Sequence, residues 1–395
     1  MLDPQARPLR QEIIRLMRGG WDSAVTDDQF ADLALRVFSF QCGANKPFAG
    51  YCRRRGRTPD SVRHWTEIPA VPAAAFAEVP LIAGDPASAE AEFLTSGTSR
   101  GPRRRGRHLV PDLALYHEAL LSGFRANLLP DQARLHMISL VPPATEAPRS
   151  SLAHMVSTVM AEYGVDPLWF ATAGGQIDYA GLDNRLSQMS EQQQPVCLLG
   201  TNAAFIHWLD RLQADGRRHT LPAGSRLMDT GGFKGRGRDV PPDELRAGYA
   251  ELLGLEPDYC VNEYGMTELC SQFYDGALRR RLCGGRGEPR SMAAPGWVRT
   301  LVVDPESLEP LPPGSVGLLR HYDLANLGSV LAVQTDDMGR RVEDGFLLLG
   351  RAGGAPPRGC SLAMDDLLRE YQRTDASGGE SNSSQPNRLP GQDPA

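Results

Sequence analysis

The chain has 395 residues, of which 41% are hydrophobic and 23% charged, with a formal net charge of −6. That length supports a large core in more than one lobe, and the composition is that of an ordinary globular protein. The mild acidity excludes a global attraction to nucleic acid or anionic lipid, so any anion chemistry has to come from local basic clusters.

The seven cysteines (Cys42, Cys52, Cys197, Cys260, Cys270, Cys283 and Cys360) form no CxxC pair and no zinc spacing, which points to free thiols in a reducing compartment. The opening MLDPQARPLRQEIIRLMRGGW lacks the apolar stretch of a signal peptide. The most apolar long run, IPAVPAAAFAEVPLIAG, is cut by three prolines and Glu78 and should not span a bilayer. The cytoplasm is the expected location.

In chain order, QEIIRLM and DQFADLALRVFSF carry apolar residues at helical spacing through about residue 44. A basic, proline-containing connection, YCRRRGRTPDSVRHW, follows. From residue 93 short apolar runs ending in turn residues (LHMISLV, PVCLLG, SRLMDTGG, DYCVNEYG) read as buried strands. They alternate with helical stretches such as SSLAHMVSTVMAEYG, where Leu152, Met155, Val156, Val159, Met160 and Tyr163 form one apolar stripe. The alternation predicts an α/β domain with ligand loops at the carboxyl ends of its strands. After about residue 296, WVRTLVVD, VGLLRHYD, SVLAVQTDD and GFLLLGR are strand-like. The expected organisation is a helical N-terminal part over 1–92, an α/β core over 93–296, a β-rich lobe with a short C-terminal segment over 297–370, and a disordered tail over 371–395.

Four stretches carry chemistry. FLTSGTSRGP, residues 93–102, puts Thr95, Ser96, Gly97, Thr98 and Ser99 in one turn, with Arg103, Arg104, Arg105 and Arg107 behind it. It lacks the G-K-[ST] ending of a nucleotide-triphosphatase loop, but backbone N–H groups and hydroxyls can wrap phosphate oxygens. Alone it favours a bland Ser/Gly loop over a phosphate cradle. Asn262-Glu263-Tyr264-Gly265-Met266-Thr267-Glu268 ends a strand and offers a ring for a base, a hydroxyl for phosphate and a carboxylate for Mg²⁺. Gln334-Thr335-Asp336-Asp337 places a carboxylate suited to vicinal ribose hydroxyls, and Gly350-Arg351 closes the last strand. Asp229-Thr230-Gly231-Gly232-Phe233 is a further glycine turn, with or without a ligand.

In this order the motifs resemble those of the adenylate-forming superfamily. More narrowly, from about residue 90 to 368, NEYGMTELCSQFYD, the HYDLANL…QTDD segment and DGFLLLGRAGGAPPRGCSLAMDDLL are similar to the acyl-protein synthetases of the LuxE type. The resemblance implies an α/β fold, the large domain of adenylate-forming enzymes, with sheets flanked by helices, a small β-rich lobe and no mobile C-terminal lobe. It implies ATP and Mg²⁺ as cofactors and a carboxylic, fatty acid as substrate. Thr95, Ser96, Gly97, Thr98 and Ser99 would hold the β- and γ-phosphates, with Gly231 and Gly232 lining the adenine pocket beside Tyr264 and Gly265. Thr267 would touch the α-phosphate, Glu268 would ligate Mg²⁺, Asp337 would take the ribose hydroxyls and Arg351 would bind nearby.

Three departures stand out: Arg100 inside the hydroxyl loop, Arg103 where a lysine is usual, and Asp336 where a glycine is usual. The resemblance also implies an acyl-carrying cysteine near the C-terminus, matched by Cys360. We expect Ser361 to cap a following helix and Arg358 to favour the thiolate. His154 and Thr201-Asn202 are further polar candidates near the acyl carboxylate. The implied function is activation of an acid to an acyl adenylate and its capture as a protein thioester, with a reductase or carrier as partner. The alternatives are a ligase of the phenylacetate-CoA ligase type and a non-catalytic scaffold of the same fold.

Overall fold

The structure, a computed structural model, describes residues 6–95, 105–231, 240–285, 290–353 and 358–378. The chain opens with helices α1 (Arg7–Arg18), α2 (Asp27–Ala44) and α3 (Lys46–Arg54). Helix α2 starts in a capping box: Thr26 Oγ1 accepts from Gln29 N at 3.2 Å, and Gln29 Oε1 accepts from Thr26 N at 3.0 Å. Sequence reading stopped the helices near residue 44, yet α3 follows after Asn45 alone. Its Phe48, Tyr51 and Cys52 are buried while Arg53 and Arg54 face water, an amphipathic face hidden by the basic run.

A short strand β1 (Val71–Pro72) leads to the hairpin β2 (Ala91–Leu94) and β3 (Arg107–Val110). Then strands and helices alternate as expected: α4 (Leu113–Leu128), β4 (Leu135–Ser139), α5 (Ser151–Tyr163), β5 (Gly164–Trp169), α6 (Tyr179–Glu191), β6 (Val196–Thr201), α7 (Asn202–Ala214), β7 (Arg226–Thr230), α8 (Pro242–Leu253) and β8 (Cys260–Tyr264). Strand β9 (Phe273–Tyr274) turns back on β8 and precedes α9 (Ala277–Leu282). The six strands order as β5-β4-β6-β7-β8-β9, parallel except for β9. Strands β6 and β7 are buried almost throughout, which is why they read as unbroken apolar runs. Strand β5 escaped the sequence reading because GVDPLW carries an exposed Val165, a proline, and Asp166 at φ 48°, features tolerated only at a sheet edge.

The C-terminal strands β10 (Val298–Val303), β11 (Val316–Asp323), β12 (Ala332–Val342) and β13 (Gly345–Arg351) form a second sheet, with β1 joined parallel to β12. Helix α10 (Arg358–Gly378) packs against α3 and β1 and runs past the boundary expected at residue 371. One continuous core joins Phe30, Phe124, Val156, Phe273, Leu324 and Leu367, so both sheets and the N-terminal helices share it. Among the described residues no helix is long and apolar enough to cross a membrane.

The start of β7 near the end of α4 is held by Arg226, which is fully buried and donates to Asp131 Oδ1 at 2.6 Å and to the Leu128 carbonyl at 2.9 Å. Asp131 is exposed and keeps its water when Arg226 is lost, but the Leu128 and Gly224 carbonyls lose a buried donor. Arg226→Met should lower the free energy of unfolding by about 2 kcal/mol in urea titrations. A loss below roughly 0.5 kcal/mol would show that those carbonyls find other partners.

Candidate active site

Two sheets meet where β8 ends. Tyr264, the last residue of β8, is buried, and its hydroxyl donates to Asp337 Oδ2 at 2.8 Å across the boundary between the sheets. Arg351, opposite Asp337 in the β12–β13 register, donates from Nε to Asp337 Oδ1 at 3.2 Å. The structure therefore brings Tyr264, Asp337 and Arg351 into one cluster from three separate motifs. Each carboxylate oxygen of Asp337 has a second lone pair for an incoming hydroxyl. His321, missed by the sequence reading, packs beside the tyrosine with Nε2 at 3.4 Å from its hydroxyl. Burial lowers His321 to about 3, so it stays neutral, and burial next to Asp337 keeps the Tyr264 phenol protonated.

The loop after β8 is fixed by groups that motif reading did not assign. Asp323 Oδ2 accepts from Cys270 N at 3.1 Å and Ser271 N at 2.9 Å, and Oδ1 accepts from Ser271 Oγ at 2.8 Å and Ala325 N at 2.9 Å. Burial pushes the Asp323 carboxyl up to about 6 against the pull of these donors. Asn326 Nδ2 donates to the Glu268 carbonyl at 2.9 Å. Both residues belong to HYDLANL, so the signal was present as a run of polar residues between buried apolar ones. Glu268 itself is buried.

Thr267 is held from the other side. His108 on β3 is buried and donates from Nδ1 to the Thr267 carbonyl at 2.7 Å. The Thr267 hydroxyl lies 3.5 Å from Ser151 Oγ in the first turn of α5. Thr95 closes the base of the β2–β3 hairpin: its N–H donates to Gly106 O at 2.9 Å, and its Oγ1 accepts from Gly106 N at 2.8 Å. Its side chain is thus engaged in hairpin closure. Ser96, Gly97, Thr98, Ser99 and Gly232 lie outside the described residues, as do Arg100 and Arg103.

Gly231 follows β7 at φ +97°, a conformation that favours glycine, and its carbonyl accepts from Asn202 Nδ2 at 2.7 Å. Thr201 caps α7 through Ala204 N at 3.2 Å, so Thr201-Asn202 organise the strand ends. At Gly265 a Cβ would come within 2.5 Å of Glu263 Oε1, so a side chain there would displace that carboxylate. His154 is half-buried against Phe93 and Tyr116, with its Nε2 2.8 Å from His117 Nε2.

Cys360 departs from expectation. It lies inside the first turn of α10 rather than before the helix, so Ser361 is a helix residue and not its cap. The thiol packs among Val303, Leu318, Leu308 and Met338. Burial, then Asp336, pushes it up to about 11, and the cation opposing this is Arg320, not Arg358. The expected thiolate is therefore disfavoured in this position. Asp336 and Met338 face Cys360 while Asp337 between them faces Tyr264, so the thiol lies across β12 from the cluster.

His108 offers a test. Burial lowers it to about 4 from an ordinary 6.5, so the fold is stabilised with His108 neutral, and that share is lost as pH falls from 6.5 toward 4. The stability of wild type relative to His108→Asn should fall on the order of 2–3 kcal/mol over that interval in pH-dependent denaturation. A constant difference would contradict the buried neutral imidazole.

The family model described as acyl-protein synthetase, LuxE, matches residues 27–369. The long-chain-fatty-acid–luciferin-component ligase of Vibrio harveyi is 24% identical over 351 residues, covering 85% of this chain and 87% of that protein. The same-named ligase of Aliivibrio fischeri is 23% identical over 358 residues, covering 86% and 88%. Among solved structures, 2-hydroxyisobutyryl-CoA ligase in an open conformation with 2-HIB-AMP and CoA superposes with a TM-score of 0.59 at 12% identity, over 82% of this chain and 74% of that one. Its thioesterification state gives 0.61 at 13% identity, over 82% and 68%. At such identity the likeness speaks for the fold, which is that of adenylate-forming ligases. The chain belongs to the LuxE family of acyl-protein synthetases.

Proposed function

We propose that this protein activates a long-chain fatty acid with ATP to an acyl adenylate and passes the acyl group to a cysteine as a thioester. The observation that carries the reading is the meeting of Tyr264, Asp337 and Arg351 at the carboxyl end of β8, beside Thr267 and Glu268. The two curated relatives act, by name, on long-chain fatty acids.

Adenine would lie against Tyr264 near Gly231, with the ribose hydroxyls donating to Asp337. Arg351 orients that carboxylate. The hydroxyl-rich loop carried on β2 and β3, Ser96 to Ser99, would wrap the β- and γ-phosphates. Thr267 would donate to the α-phosphate as the acid's carboxylate attacks phosphorus in line and pyrophosphate departs. Among the described residues no group of three or more His, Cys, Asp or Glu is arranged to hold a metal ion by itself. That suits Mg²⁺ carried on a nucleotide, which needs only one or two protein carboxylates, and Glu268 is the one at hand. Bound there, Mg²⁺ would offset phosphate charge.

In the second half-reaction a thiol sulfur bonds to the acyl carbon, the bond to AMP breaks and the thiol proton leaves. Cys360 is the acceptor proposed, in which case α10 must first leave its seat, because the thiol faces away from Asp337. The same placement favours a second reading, in which the acceptor is a thiol of a partner protein or of CoA. A reductase or carrier would then take the acyl group onward.

ATP–pyrophosphate exchange over a panel of fatty and aromatic acids tests both halves. Exchange should require a long-chain acid, fall about 100-fold or more in Glu268→Ala, and survive in Cys360→Ser. Cys360→Ser should abolish the hydroxylamine-labile acyl label on the protein. No exchange with any acid would overturn the activation reading, and an undiminished label in Cys360→Ser would move the acceptor elsewhere.

A further inference from the structure

Helices α2 and α3 are joined by Asn45 alone, and at this joint two thiols, Cys42 and Cys52, line one cavity of about 330 Å³. Arg53, Arg57, Ser39 and Thr58 line it too, so it combines two sulfurs with cationic and hydroxyl donors. Cys42 is half-buried and can be reached from the cavity, whereas Cys52 lies behind it at 1% exposure. A hydrogen bond from the Cys52 thiol pulls Cys42 below its ordinary value and Arg53 adds to this, while burial opposes. Burial and the neighbouring Cys42 push Cys52 up. The C-terminal end of α2 works against a thiolate at Cys42, so the local donors have to outweigh it. The two sulfurs are thus unequal: Cys42 is half-buried and its thiol is pulled down, whereas Cys52 is buried and its thiol is pushed up. None of the residues proposed for acid activation lies here.

We infer that this cavity is a thiol-exchange site for a small, carboxylate-bearing disulfide, with Cys42 as the attacking thiol and Cys52 as the resolving one. The Cys42 thiolate bonds to one sulfur of the reagent, whose S–S bond breaks and releases a thiolate. Cys52 then bonds to the Cys42 sulfur, the mixed disulfide breaks, and the second reagent thiolate takes up the Cys52 proton. The protein dithiol loses two electrons to the reagent, which leaves as two thiols. Arg53 and Arg57 supply the charge that draws carboxylates to the cavity.

Oxidised glutathione is the anionic probe and 2-hydroxyethyl disulfide the neutral one, applied to the reduced full-length protein with peptide mass mapping. Exposed Cys283 is the internal standard. Cys42 should react at least about fivefold faster than Cys283 with glutathione disulfide, and wild type should end about 2 Da lighter through a Cys42–Cys52 bond. Cys52→Ser should instead retain a glutathione adduct on Cys42. The preference for the anionic reagent should be about tenfold greater at Cys42 than at Cys283, and Arg53→Ala/Arg57→Ala should erase it. Equal rates at Cys42 and Cys283, or an adduct on Cys42 that persists in wild type, would overturn the dithiol assignment. Equal reagent preference at the two cysteines in wild type would overturn the anion recognition, whether or not the arginine variant folds.

Discussion

The arrangement of the site rests on one buried carboxylate. Asp323 ends β11 and accepts four hydrogen bonds, three of them from Cys270 and Ser271 in the segment between β8 and β9. A carboxylate out of water is costly unless its lone pairs are filled, and here they are filled by Ala325 N and by backbone and hydroxyl groups of the segment that joins two strands of the other sheet. Trp297 extends the contact, donating from Nε1 to Ser271 Oγ at 3.0 Å. Through this junction the segment bearing Thr267 and Glu268 is held by the C-terminal lobe as well as by its own strand. Asn326, next to Ala325, adds its bond to the Glu268 carbonyl.

Around that junction the buried titratable groups divide by sign. His108 and His321 are held neutral by burial, so acidification strains the fold through them. Asp229 and Asp323 are pushed up to about 6 by burial, so acidification relieves them. Their stabilising share is complete below an ordinary carboxyl value and is lost as pH rises toward 6. The opposing sets overlap between about 4 and 6, so the two aspartates offset part of the acid loss carried by the histidines over that interval.

Much of the fold was legible because buried parallel strands announce themselves: PVCLLG and SRLMDTGG became β6 and β7 with their turn residues at the carboxyl ends. The motif residues Tyr264, Asp337 and Arg351 were legible for the same reason, since each ends or faces a readable strand. The supports were not. His108, Asp323 and His321 act through partners far along the chain, and a single sequence carries no mark of such distances. Edge strand β5 and helix α3 were hidden by a proline and by a run of arginines. Cys360 was legible as a residue but not as an environment, because its burial comes from Val303, Leu318 and Met338, which belong to strands β10, β11 and β12.

The alternation of side chains along β12 has a consequence for the order of events. Asp337 looks toward the tyrosine cluster, and its neighbour Asp336 looks toward Cys360, so a single strand stands between the groups proposed for activation and the proposed acceptor. Helix α10 is moored by Arg54 and Arg55 to Asp366, at 3.0 and 3.4 Å, and by Leu367 in the core. Ala363 and Met364 are buried beside Leu367, so two surface ion pairs and one apolar face hold the helix on α3 and β1. Under the proposed function the strand would act as a partition that makes activation and capture sequential, with the interval between them set by release of α10.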